Sequence, residues 1–463
     1  MTEQLKLKLN DSKATRWGAL VIVAFTMMAA YYVNDVVAPL KTMLETDLAW
    51  SSTDFGFFTG GYSFLNVFFL MLIWGGLILD RFGIRFTGKL ATILMVGGTA
   101  LEYYAMTGLA GADATLFGIN EIFGYKTGVF VAFAGYSIFG VGAEVAGITV
   151  SKIIAKWFKG KELATAMGVQ VALARIGSQA GYAVAIPLAR AFGISTPVLL
   201  GLVLLLGGMI AFFIFAVMDK KLDKQMEAAA IAAGTEDEEE KFSFKDVKNI
   251  LVNPGFWLIA LLCVLFYSCV FPFQKFASEL MIIKYGINEN VAGTFAGLPA
   301  LGALILTPVF GGFIDKRGKS ASIMLLGSAM LICVHFIYAI PDINYWLGAI
   351  VLMIILGIAF SLVPSAMWPA VAKIFPVSQL GTAYALIFFI QNIGLWGIPT
   401  LIGWVLDAYC ISGKKPDGTN MYDYTVPMCI FTGIACLSLI VALLLKKADK
   451  KYGYKLEEPN IQK

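Results

Sequence analysis

Apolar runs of about twenty residues, separated by short polar stretches, recur twelve times along the chain. Each is long enough to cross a bilayer as a helix. They fall at about 16–40, 54–79, 87–108, 127–155, 162–191, 195–218, 254–284, 290–314, 320–340, 343–372, 379–406 and 424–446. The pattern predicts an all-α membrane protein with twelve transmembrane helices. One interval differs in kind: "DKKLDKQMEAAAIAAGTEDEEEKFSFKDVKNI", residues 219–250, is charged and holds an acidic run from Glu236 to Glu240. It reads as a solvated linker with one short helix. The expected organisation is a six-helix bundle over 1–218, a cytoplasmic linker over 219–252, and a second six-helix bundle with its tail over 253–463.

The two halves repeat. The loop "GGLILDRFGIR" (75–85) is echoed by "GGFIDKRGK" (311–319). Gly76 and Gly311 each stand four residues before an aspartate, Asp80 or Asp315, followed by Arg81 or Lys316 and then by Gly83 or Gly318. "KWFKGKELATAMGVQVALARIG" (156–177) aligns without gaps to "KIFPVSQLGTAYALIFFIQNIG" (373–394). Parallel six-helix halves are the sequence form of a major-facilitator transporter. In that setting Asp80, Arg81, Arg85, Asp315 and Lys316 are candidates for a charge lock between the halves. The plainer alternative is helix capping together with loop charge.

Composition agrees. Charged residues make up 14% of the chain and apolar ones 59%, against roughly a quarter charged in soluble domains. The net charge of +4 is no sign of nucleic-acid binding, because the basic residues sit in short loops. Residues 80–85, 156–162, 315–319, Lys220–Lys221 and the tail "KKADKKYGYK" all fall on one side of a twelve-span arrangement. The positive-inside rule places that side, and both termini, in the cytoplasm. The polar N-terminus shows no secretory cleavage site. The six cysteines form no CxxC pair, so no metal or cofactor is expected. A Cys410–Cys429 bridge is one reading near the last outer loop, and the single histidine, His335, reads as packed.

Two charges sit deep in apolar spans. Glu144 lies 13 residues before Trp157, and Arg175 lies 13 residues after Glu162. At 1.5 Å per residue both stand roughly 20 Å above the same basic loop. The repeat places them opposite Ser361 and Asn392, so the scaffold itself needs neither charge. Each alone would cost about 2.5–3.5 kcal/mol in hydrocarbon. They face each other, a water-filled cavity or a ligand. One anion and one cation suit a zwitterion, with its carboxylate on Arg175 and its ammonium on Glu144. Asn66, Tyr267 and Asn392 reach similar height, with Tyr62 one turn further out, and all four are candidates to line the cavity, packing being the alternative for Tyr267. Asp35 is either an outer-gate residue or a helix-end charge. Lys275 and Glu279, four apart, read as neutralising each other.

"AEVAGITVSKIIAKWFKGKELATAMGVQVALARIGS" resembles the major-facilitator branch that includes the lysosomal dipeptide uniporter of animals. So do "YSFLNV…GGLILDRFGIR", "YSCVFPF" and "AMWPAVAKIFPVSQLGTAYALIFFIQNIG". The resemblance implies facilitated dipeptide movement without obligatory proton coupling. It also implies that Glu144 and Arg175 hold the two peptide termini, and that the animal member works with a glycosylated accessory protein. This chain has no N-x-Ser/Thr sequon in its outer loops and no acidic dileucine signal in its N-terminal tail. Both features suit a bacterial inner membrane and argue against an accessory glycoprotein. The expected function is rocker-switch transport of dipeptides or other small zwitterions. The alternatives are an organic-anion (dicarboxylate) exchanger or symporter, or a receptor that binds without transport. Glu144 remains open as a substrate ligand or a proton carrier. No nucleophile–base pair marks an enzyme.

Overall fold

The structure is a computed structural model that describes residues 8–111, 114–158, 161–233 and 244–459. We call the side carrying the basic loops the inner face and the opposite side the outer face. The first crossing is α1 (Lys13–Val36), continued by a short 3-10 turn and α2 (Lys41–Leu48). α3 (Ser52–Phe68) opens on a capping box between Ser51 and Asp54. It breaks at Leu70, and α4 (Met71–Thr107) follows. Next come α5 (Thr127–Trp157), α6 (Leu163–Phe192) and α7 (Thr196–Ala233). The second half holds α8 (Phe244–Val252), α9 (Pro254–Tyr285), α10 (Glu289–Ala296), α11 (Leu298–Arg317), α12 (Ser320–Ala339), α13 (Trp346–Ile374), α14 (Val377–Tyr409) and α15 (Thr425–Tyr452).

Among the described residues, nine helical stretches are long and apolar enough to cross a membrane singly, and α3 with α4 adds a pair bent by 58°. That pair makes two crossings, because the chain reverses at Gly83. Before Gly83, contacts on α5 ascend: Gly61 meets Phe133, Tyr62 meets Gly140, Gly75 meets Val145 and Asp80 meets Lys152. After it they descend: Ala91 meets Gly142, Gly98 meets Gly135 and Leu109 meets Gly128. α6 is the twelfth crossing, less apolar because it carries Gln170, Arg175, Ser178 and Gln179. The repeated glycine now has a physical reason. Gly83 (φ 75°, ψ 173°) and Gly318 (φ 70°, ψ −133°) share a positive-φ, extended-ψ backbone, a region open essentially only to glycine.

Small residues let α4 and α5 approach backbone to backbone. A Cβ on Gly98 would lie 2.5 Å from the Gly135 carbonyl oxygen. Apolar side chains such as Val203, Ile210 and Val217 of α7 point outward, as lipid-facing residues must. α7 runs past the expected boundary at 218 to Ala233, because "DKKLDKQMEAAAIAA" is itself helix-forming. The acidic run Glu236–Glu240 lies outside the described residues.

The outer loop 108–128 carries a small hairpin, β1 (Glu121–Ile122) with β2 (Tyr125–Lys126), and the last outer loop carries another, β3 (Ile411–Lys414) with β4 (Asn420–Tyr422). Cys410 and Cys429 are free thiols, Cys410 buried and Cys429 exposed, so they form no bridge here. His335 is packed, fully buried beside Phe273 and Phe431 with Nε2 3.0 Å from the Cys269 carbonyl oxygen.

Candidate functional site

Six helices meet around the two membrane-embedded charges. Glu144 on α5 accepts a hydrogen bond from the Tyr62 hydroxyl of α3 at 3.0 Å. The Arg175 guanidinium of α6 lies over two rings, Tyr31 of α1 at 5.5 Å and Phe360 of α13 at 4.9 Å. Tyr31 is within electrostatic range of both charges, and Tyr267 of α9 is within range of Arg175. Tyr267 stacks on Phe271 (5.5 Å, 7°), and its hydroxyl accepts from Trp368 Nε1 at 3.3 Å. The floor of the chamber is therefore aromatic, and Arg175 bridges the halves through ring faces.

Glu144 and Arg175 are both partly exposed. Among the described residues no ion pair joins them, and Arg175 has no carboxylate partner. A structural Glu–Arg clasp between α5 and α6 is thus absent in this state.

The other candidates separate into groups. Asn66 is 1% exposed with neither amide atom bonded, and Asn392 is 1% exposed with Nδ2 donating to the Phe388 carbonyl of its own helix at 2.9 Å. Both are enclosed. On the inner face Asp80 pairs with Lys152 of its own half at 3.1 Å. Arg81 lies over Phe82 (5.6 Å), and Lys316 is exposed. Arg85 binds Asp219 (3.3 Å) and Asp223 of α7. Asp219 is fully buried and also accepts from Lys156 (2.7 Å) and Trp157 Nε1 (2.9 Å). The loop of Asp315 is pinned by the C-terminal tail: the amides of Lys319 and Ser320 donate to the carbonyls of Glu457 (3.1 Å) and Leu456 (3.0 Å).

The outer face is closed by contacts between halves. Asp35 of α1, bonded to Ser178 of α6, pairs with Lys275 of α9 at 3.2 Å. Lys275 also donates to the Asn34 carbonyl at 2.6 Å. Lys41 lies between Glu45 (2.6 Å) and Glu279 (2.5 Å). The expected Lys275–Glu279 neutralisation is therefore overturned: each residue reaches across to α1 or α2 instead, because their shared face of α9 is the interface. Arg190 pairs with Glu289, and Asp407 accepts from the amides of Ser52 (3.3 Å) and Thr53 (2.6 Å). Gly56 and Gly403 bring α3 and α14 together, so that a Cβ on Gly56 would sit 3.0 Å from the Gly403 Cα. These contacts seal the outer face.

A description of the Major Facilitator Superfamily matches residues 20–398 and 276–458 of this chain. The chain belongs to the major facilitator superfamily. It is a membrane transporter and not an enzyme. Among curated relatives, the lysosomal dipeptide transporter MFSD1 of Homo sapiens is 29% identical over 454 residues, covering 95% of this chain and 88% of that protein. The Gallus gallus protein of the same name is 33% identical over 287 residues, covering 59% of this chain and 62% of that one. Among solved structures, a point mutant of the nucleoside transporter NupG superposes with a TM-score of 0.68 at 12% identity, covering 92% of this chain and 98% of that one. A bacterial homologue of the human lysosomal transporter Spinster, inward-facing and unoccupied, superposes with a TM-score of 0.62 at 14% identity, covering 98% and 99%. These likenesses concern the fold.

Three residues of this transporter's chamber escaped sequence reasoning: Tyr31, Phe360 and Trp368. Trp368 carries a signal, an indole well inside the inner half of a span. Tyr31 and Phe360 sit among similar apolar neighbours and carry none.

Proposed function

We propose that this transporter moves dipeptides, or zwitterions of similar length, by alternating access as a uniporter. The observation behind this reading is the pair Glu144 and Arg175: opposite charges in one chamber, unpaired with each other and partly open. Arg175, held flat by two rings, offers a fork to the peptide carboxylate. Glu144, oriented by Tyr62, accepts from the ammonium. Tyr267 completes the lining, while the enclosed Asn66 and Asn392 make no direct contact in this state. The curated relatives are named dipeptide transporters, which supports the same substrate class.

Asp35 with Lys275 forms the outer gate in this reading. Asp80, Arg81, Arg85, Asp315 and Lys316 form the inner lock, which engages when the inner face closes. The basic loops favour cytoplasmic termini, and the absence of a sequon from the outer loops favours a bacterial inner membrane without an accessory glycoprotein. A dicarboxylate exchanger is the second reading, and Glu144 opposes it by repelling a second carboxylate. The test is uptake by proteoliposomes of a labelled dipeptide against a labelled dicarboxylate, with and without a proton gradient. Saturable dipeptide uptake independent of the gradient is expected. Dicarboxylate uptake in its place, or peptide uptake only with a gradient, would overturn the reading.

A further inference from the structure

A second acid lies in the membrane-spanning region, outside the chamber. Glu102 sits on α4, five residues before its outer end at Thr107. It is fully buried, and neither carboxyl oxygen has a hydrogen-bond partner among the described residues. Thr99, one turn earlier on the same helix, is likewise buried with an unpartnered hydroxyl. The backbone of Glu102 packs on Gly135 of α5, beside Tyr136. Tyr136 and Lys275 are within electrostatic range of the carboxyl.

Both of those groups belong to the outer closure. Lys275 binds Asn34 and Asp35, and the Tyr136 hydroxyl donates to the Asn34 carbonyl at 2.8 Å. Asp35 of α1 is within electrostatic range of Tyr136. α7, which also packs on α4, brings no titratable side chain between Thr196 and Met218. Tyr103 and Tyr104 follow on the same helix. An ionised carboxylate so enclosed would be unsolvated and without a contact partner, the least favourable state for that group.

We propose that Glu102 is a proton-binding site tied to the outer gate, holding a proton while the outer face is closed and releasing it to water when Lys275 and α9 withdraw. The closed state seals the carboxyl from both solutions, so the proton is taken from and returned to the outer side alone. Outer pH then sets the balance between the two states without coupling substrate flux to a proton gradient. The protonated form belongs to the closed state, so that state loses population as outer pH rises. One proton limits the response to about tenfold per pH unit. The inference rests on the alternating-access part of the proposed function and not on the identity of the substrate.

The test uses ligand-free protein in nanodiscs, with spin labels on the exposed outer positions Thr46→Cys and Asp342→Cys and the native cysteines replaced. Double electron–electron resonance reads the distance across the outer face. In the labelled parent, the short-distance population should fall between about pH 5.5 and about pH 8.5, with a slope of up to about tenfold per unit. E102Q, a neutral mimic, should keep the short distance throughout, and Glu102→Met should behave alike. A parent without a pH response, or E102Q titrating like the parent, overturns the proposal. A response lost in D35N but kept in E102Q overturns it as well, by moving the proton to Asp35. Because no substrate is present, failure of the dipeptide reading leaves this result interpretable.

Discussion

Replacing Lys275 by methionine should open the outer face. In the closed state the Lys275 ammonium is 3.2 Å from Asp35, and the two side chains are 11% and 9% exposed. At an effective dielectric of about 20, two unit charges at that distance attract by about 5 kcal/mol. Removing one partner of a buried pair costs about 3–5 kcal/mol, because the remaining charge is left uncompensated. Asp35 would keep only Ser178 and Asn34 as donors. In the open state Asp35 meets water, so the penalty falls on the closed state alone. At 1.4 kcal/mol per decade, the closed-to-open ratio should drop by roughly two to three and a half decades. Single-molecule energy transfer between dyes on the outer ends of α2 and α12 reads that ratio directly. K275M with D35N should recover much of the closure, since the double change removes both charges. If K275M leaves the distribution unchanged, or if the double variant is as open as K275M, the pair does not hold the gate.

R175A should reduce dipeptide affinity at least about 100-fold, the loss of a charge-assisted bidentate contact, with an unchanged melting temperature in detergent; wild-type affinity would remove the clamp. G60A should also favour the open outer face, because the added Cβ would lie 2.7 Å from the Trp396 carbonyl oxygen of α14; the same energy-transfer measurement checks it. Asp219→Ala should lower stability by about 3 kcal/mol, since Arg85, Lys156 and Trp157 lose a shared buried acceptor; thermal unfolding should show it without a change in affinity. D80N should slow turnover with little effect on binding if Asp80 leaves Lys152 to join the inner lock, and proteoliposome kinetics separate the two quantities.

The twelve crossings were legible because lipid demands long uninterrupted apolar runs, and that demand acts on every residue of a span. The Gly83 and Gly318 repeats were legible because their backbone excludes other residues. Glu144 and Arg175 stood out because a charge in hydrocarbon is rare. What escaped depends on partners distant in sequence. Lys275 and Glu279 have the spacing of a local pair, yet each finds its counter-charge on the other half of the chain. Glu102 stands five residues from a helix end, where an acid ordinarily reaches water, and no local pattern shows that α5 at Gly135 and the closure around Tyr136 and Lys275 enclose it. Tyr31 and Phe360 gain their place against Arg175 from helix packing across the bundle, which no local pattern encodes.

The most direct measurement is the affinity of the purified transporter for one dipeptide in three forms: free, N-acetylated and C-amidated. The account predicts that each cap weakens binding by about 1.5–3 kcal/mol, the value of a hydrogen bond to a charged group. The N-cap penalty should vanish in E144Q and the C-cap penalty in R175A. Capped and free peptides binding alike would contradict the assignment of Glu144 and Arg175 to the two ends of a zwitterion.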